Sequence, residues 1–128
     1  MLKKTKTICM LLILWMISCP LFAQTPEIYS ILESDGTLTY FYNSKKDEYT
    51  GSGTVFSGNE AFVQRNEDVI KCVFDPSFKD TPLISSFSRF FYYNNNMTSI
   101  EGLEHLNTEG ATDMSEMFFA APPLLTLT

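Results

Sequence analysis

A chain of 128 residues with 45% apolar content is long enough to pack one domain, and fifteen acidic against nine basic side chains make nucleic acid a poor partner. Three of the lysines fall in the first seven residues, so without residues 1–23 six cations face all fifteen acids, a formal charge of −9 over 105 residues. The clustered Lys and Arg that neutralise phosphates are missing, and an acidity of this kind reads as solubility outside the cell.

The N-terminus carries Lys3, Lys4 and Lys6 without an acid, and Ile8 to Ile17 then form an unbroken apolar run of ten residues. A charged start followed by a run of this length is a secretory signal peptide, assigned to residues 1–23. A membrane span needs about 20 apolar residues, twice what is present. Three outcomes remain open: cleavage after Ala23 in Leu21-Phe22-Ala23-Gln24, lipid attachment at Cys19 after Met16-Ile17-Ser18, or retention as an uncleaved anchor. Each places the protein outside the cytoplasm, secreted or at the cell surface or outer membrane, with the membrane touched only through the signal or a lipid.

Cys9 leaves with the signal and Cys19 leaves or is lipidated, so Cys72 remains without an intrachain partner and a packed core must hold the chain. In Val69-Ile70-Lys71-Cys72-Val73-Phe74 the alternation puts Ile70, Cys72 and Phe74 on one face of a strand, as buried hydrophobes. A catalytic thiol would need a base beside it, and His105 is the sole histidine.

Residues 27 to 74 read as β-structure. Glu27–Glu33 and Thr37–Tyr42 flank Ser34-Asp35-Gly36, a hairpin signal. Leu38, Tyr40 and Tyr42 share one face of the second strand, with Thr37, Thr39 and Phe41 on the other. Asn43 to Gly53 is a solvated loop that includes Lys45-Lys46-Asp47-Glu48. Gly53–Phe56 forms a third strand, Ser57–Asp68 a polar loop and Val69–Phe74 a fourth strand. Such a sheet needs a cover. A helix is expected after Thr81, with Pro82 as its first residue, Leu83, Phe87, Phe90 and Phe91 at helical spacing, and Asn94-Asn95-Asn96 as its stop. A second helical return is expected at Asp113, with Glu116 completing a capping box before Met117, Phe118 and Phe119.

The last third of the chain repeats itself. Met97-Thr98-Ser99-Ile100-Glu101-Gly102-Leu103 is echoed at Leu124-Leu125-Thr126-Leu127-Thr128, and Phe91 recurs as Phe118 at the same offset of 27. That period lies within the roughly 20 to 29 residues of a leucine-rich repeat. The ladder positions are Met97, Ile100, Leu103 and Leu106, then Leu124 and Leu127, with Met114, Met117 and Phe118 as the accompanying motif. The second ladder breaks off at Thr128, so the expectation is the front end of a longer array or a truncated one, with an unpaired edge open to self-association.

Three stretches carry a family resemblance: Val73-Phe74-Asp75-Pro76-Ser77-Phe78, Ser99-Ile100-Glu101-Gly102-Leu103-Glu104-His105-Leu106-Asn107-Thr108, and Ala111-Thr112-Asp113-Met114-Ser115-Glu116-Met117-Phe118. Together with Thr37-Leu38-Thr39-Tyr40-Phe41-Tyr42 in the leader, they resemble the BspA-like leucine-rich repeat surface proteins of bacteria over roughly Ser30 to Thr128. Residues 99 to 118 are the most specific part. This sequence departs from the family pattern at Ala120-Ala121, Glu109-Gly110-Ala111 and Pro122-Pro123. The resemblance implies an α+β chain: a small β-rich N-terminal module over 24–75, then a capping helix and an incomplete leucine-rich repeat solenoid of about one and a half repeats over 76–128. It further implies protein binding or adhesion to host or microbial surface macromolecules through a concave or lateral repeat face. The alternative is an N-terminal capping fragment that binds nothing independently.

No enzyme is expected, and no cofactor. Gly-x-Ser-x-Gly, His-Glu-x-x-His, phosphate-cradling glycine loops and Cys-His metal spacings do not occur. Glu101, Glu104, His105 and Glu109 form the one local cluster with acid-base potential, and it reads as a solvated edge beside Leu103 and Leu106. Asn96-Met97-Thr98 matches a glycosylation acceptor by coincidence.

Overall fold

The computed structural model describes residues 24–128. The signal assigned to residues 1–23, including Cys19 and the approach to the cleavage point, lies outside the described residues.

The expected hairpin forms. Strand β1 (Glu27–Leu32) runs antiparallel to β2 (Thr37–Asn43), with Ile28 opposite Tyr42 and Leu32 opposite Leu38. In the turn, Asp35 Oδ1 accepts the Thr37 N–H at 2.9 Å, and that bond holds the carboxyl below its ordinary range. Strand β3 (Thr54–Ser57) pairs antiparallel with the other edge of β1. Strand β4 (Lys71–Phe74) then lies parallel to β2, β5 (Ser99–Glu101) parallel to β4, and β6 (Thr126–Leu127) parallel to β5. The result is one mixed sheet in the order β3-β1-β2-β4-β5-β6, antiparallel at its start and parallel thereafter.

Strand alternation sends Leu38, Tyr40, Cys72, Phe74 and Ile100 to a common buried face. The register lines Leu38, Cys72, Ile100 and Leu127 into one row across four strands. Ile70 does not join Cys72 and Phe74 as expected. The strand begins at Lys71, and Ile70, just outside it, is 41% exposed. Tyr40 sits at the centre of an aromatic cluster, its ring 5.3 Å from Phe74, 5.2 Å from Phe90 and 6.0 Å from Phe78. Burying one such side chain contributes about 1.5–3 kcal/mol, so this cluster dominates the stability that a disulfide would otherwise supply. Burial also pushes the Tyr40 hydroxyl and the Cys72 thiol well above their ordinary pKa values.

The opposite face of β1 is covered too. Tyr49, from the loop after β2, donates its hydroxyl to Glu33 Oε1 at 2.7 Å and accepts the Gly53 N–H at 2.8 Å. The loop is thereby held with Gly53 against the buried Ile31, while the buried Tyr29 stacks on Phe41.

The covering helix expected after Thr81 is not formed, and the described residues contain no α-helix. Phe78 enters the core from a short 3-10 turn, Pro76–Asp80, which is capped by Asp75 Oδ1 on the Ser77 N–H at 2.9 Å. Thr81 is buried with its hydroxyl unpartnered rather than capping a helix. Beyond it the chain runs in successive turns, with Arg89 and Tyr93 in the left-handed region at φ 60° and 54°. The amides of Phe87, Arg89, Phe91 and Tyr93 donate sideways, to the carbonyls of Asp113, Ser115, Met117 and Phe119. An α-helix would spend those same groups on its own preceding turn, so the lateral ladder and the helix exclude each other. Phe87, Phe90 and Phe91 nonetheless point inward and are buried, whereas Leu83, expected to join them, is 65% exposed because no helix turns it toward the sheet. The second expected helix fails similarly. Asp113 Oδ1 accepts the Ser115 N–H at 2.9 Å, while Glu116, at φ 54°, pairs with Arg89 instead of closing a capping box.

Stacking of like positions organises this half. The Ser88 and Ser115 hydroxyls meet at 3.1 Å with a sequence separation of 27, the same as for Arg89 and Glu116. Left-handed residues recur in the same step, Arg89 with Glu116 and Tyr93 with Ala120.

Candidate binding face and flank

Every residue that alternates away from the core in the parallel strands contributes to one outer face. Register places Thr37, Lys71, Ser99 and Thr126 in one row across β2, β4, β5 and β6. Thr39, Val73 and Glu101 make the next row. Lys71 Nζ reaches diagonally to Glu101 Oε1 at 2.8 Å, with both side chains partly solvated. Such a pair adds about 0–1 kcal/mol to stability and mainly fixes the orientation of two charges on the surface. The face is therefore largely polar and is held by strands, with Lys71 and Glu101 paired across it.

The ladder positions separate into two groups. Met97 and Ile100 are fully buried, and Leu103, Leu106, Met117 and Leu124 are half-buried against the same core. Only Ile100 and Leu127 occupy strands; Leu103 opens a short 3-10 turn, Leu103–His105. Met114 and Phe118 are each 46% exposed and Leu127 is 58% exposed. Phe119 and Leu125 are exposed as well, at 49% and 81%.

The acid-base cluster is not assembled. Glu101 is engaged by Lys71, and the Nε2 of His105 lies 3.5 Å from Glu104. Cys72 is enclosed by the core, away from any base.

A second feature, on the flank, went unread in the sequence. Asn94 is fully buried; its Nδ2 donates to the Val63 carbonyl and its Oδ1 accepts the Asn66 N–H, both at 3.0 Å. Asn96 Nδ2 donates to the Glu67 carbonyl at 2.8 Å. The triple asparagine is thus a clamp on the segment before β4 rather than a helix stop. A polar run followed by the buried Met97 was the available signal, since a buried amide must find backbone partners.

No family model, no curated protein sequence and no solved structure matches this chain.

Proposed function

We propose that this chain is a secreted or surface-attached protein of the BspA-like leucine-rich repeat kind, which binds host or microbial surface macromolecules through the outer sheet face. In this reading residues 1–23 are the leader, 24–75 the β-rich module and 76–128 the first coils of a repeat array. The observation that carries it is the parallel pairing of β4, β5 and β6, with Lys71 opposite Ser99 and Ser99 opposite Thr126. Side chains stack like upon like in the same step, Phe91 on Phe118 and Tyr92 on Phe119. A backbone that returns to the same place after each period is the organisation of a repeat protein.

The reading involves no catalytic step and no cofactor. Its test is retention of the full-length protein on immobilised surface extracts from host epithelium and from neighbouring bacteria. Lys71→Glu with Val73→Glu, two changes confined to the outer face, should abolish retention while thermal unfolding stays cooperative. Undiminished retention by that folded double variant sinks the sheet face as the contact surface. Mass spectrometry of the protein recovered from its host distinguishes a mature start at Gln24, a lipidated Cys19 and an intact leader.

One observation favours a second reading, a capping module that covers neighbouring coils and binds no ligand. Leu125 is 81% exposed, and Leu127, Phe118 and Phe119 near it in sequence are exposed as well. Exposed apolar groups beside a free strand edge favour association. Concentration-dependent association relieved by Leu125→Ser with Leu127→Ser, together with no retention on any extract, selects this reading over the first.

A further inference from the structure

Two concavities meet at Arg65. One, of about 410 Å³, has Phe56 and Phe62 as its apolar wall and Glu60 and Gln64 at its rim. The other, of about 380 Å³, is lined by Arg65, Glu67, Tyr93 and Asn95. Arg65 is the residue common to both. Among the described residues it belongs to no ion pair, and its guanidinium lies 5.3 Å from the Tyr92 ring centre and 5.6 Å from that of Tyr93.

The walls are rigid. The Arg65 N–H donates to the Tyr92 carbonyl at 2.8 Å, and Asn94 clamps the residues on both sides through Val63 and Asn66. Asn96 fixes the backbone of Glu67, so the first and third asparagines hold the segment while Asn95, between them, is exposed and keeps its amide free. Arg65 and Tyr93 both adopt left-handed backbone at φ 54°. Non-glycine residues in that region are held there by their surroundings, and such positions gather at ligand clamps.

We infer that this flank is a binding site for a short neutral glycan. The half-buried rings of Phe56, Phe62 and Tyr93 line the two concavities and supply apolar surface for the C–H groups of sugar rings. Gln64, Arg65, Glu67 and Asn95 present planar polar groups, each able to pair with two hydroxyls at once. Two carboxylates, Glu60 and Glu67, flank the single cation. That balance repels polyphosphates and sulfated chains. A purely apolar ligand would leave the planar polar groups without partners. Each concavity falls within the range of about 300–1,000 Å³ typical of small-molecule sites. The site shares no residue with the outer sheet face, so it stands or falls apart from the function proposed above.

The test is saturation-transfer and amide-shift titration of the full-length protein with triacetylchitotriose, cellotriose and maltotriose, and with a heparin-derived tetrasaccharide as the anionic probe. At least one neutral trisaccharide should bind with a Kd of about 10 mM or tighter, shifting amides of residues 64–67 and 93–95. Asn95→Ala touches none of the clamping bonds and should weaken that binding about tenfold or more, whereas Lys71→Glu should leave it unchanged. Three results overturn the inference: no transfer to any neutral probe at about 10 mM, tighter binding of the heparin fragment, or wild-type affinity in folded Asn95→Ala and Arg65→Ala variants.

Discussion

Phe91 and Phe118 stack nearly face to face, ring centres 5.2 Å apart and planes 21° from parallel, at the same separation of 27 that brings Arg89 to Glu116. One ring belongs to the sealed core and the other to the open side, since Phe91 is fully buried and Phe118 is half-exposed. Two like positions 27 residues apart therefore have unequal energetic weight.

Phe91→Ala should destabilise the fold by about 3–5 kcal/mol, because it removes a buried ring and leaves a cavity. Phe118→Ala gives up only a partly solvated contact and should lose roughly 1–2 kcal/mol. Urea unfolding followed by circular dichroism measures both. Equal losses would show that the Phe118 ring is sealed against something in solution.

Gly102→Ala should be severe. Gly102 sits at φ 74°, and a β-carbon there would run into the Phe74 carbonyl on the neighbouring strand. Left-handed strain together with a backbone clash should lower stability by about 2 kcal/mol or more. Gly58, at φ 61° with nothing near its would-be β-carbon, is the control, and Gly58→Ala should lose only about 1 kcal/mol. Similar unfolding midpoints for the two variants would contradict the close approach of β4 and the Gly102 turn.

Asn94→Ala removes two bonds to buried backbone and leaves the Val63 carbonyl and Asn66 N–H without them. A loss of about 2–4 kcal/mol is expected. Amide exchange should quicken first around residues 63–67, ahead of the sheet. Uniform quickening across β2 and β4 would mean that Asn94 supports the whole fold rather than the flank.

Stability should fall in acid through Asp35 and Asp113. Backbone N–H bonds from Thr37 and Ser115 hold both carboxyls below their ordinary 3.8. A group whose folded pKa is depressed stabilises the fold above its unfolded pKa, and that contribution is lost as pH drops through the folded value. The decline is therefore expected below about pH 4, and the unfolding midpoints of wild type and the Asp35→Ala, Asp113→Ala double variant should converge there. A difference between them that is the same at roughly pH 6 and pH 3 would refute the assignment.

Much of this was legible in the chain because it is local. The hairpin around Asp35 and Gly36, the inward face of Leu38 and Tyr40, the strand through Cys72 and Phe74, and the offset of 27 follow from alternation, turn chemistry and repetition. Each signal spans a few residues or compares the chain with itself. Helical spacing at Leu83, Phe87, Phe90 and Phe91 named three buried side chains, placed the exposed Leu83 among them and misnamed the backbone. An inward set of apolar residues looks alike whether the path is a helix or a series of turns, and only the acceptors decide between them. Those acceptors, the carbonyls of residues 113–119, lie 26 residues further along the chain and are in reach only once the intervening segment has closed.

The sequence by itself determined most of the residues that enter the core, the offset of 27 between like positions and the acidic character of the chain. Tertiary structure alone decided where the backbone amides of residues 87–93 find their acceptors, which side of Ile70 faces water, and that Asn94 and Asn96 clamp while Asn95 stays free. The physical reason is that hydrophobic burial is scored residue by residue, whereas hydrogen-bond satisfaction and strand register depend on segments brought together by closing long loops.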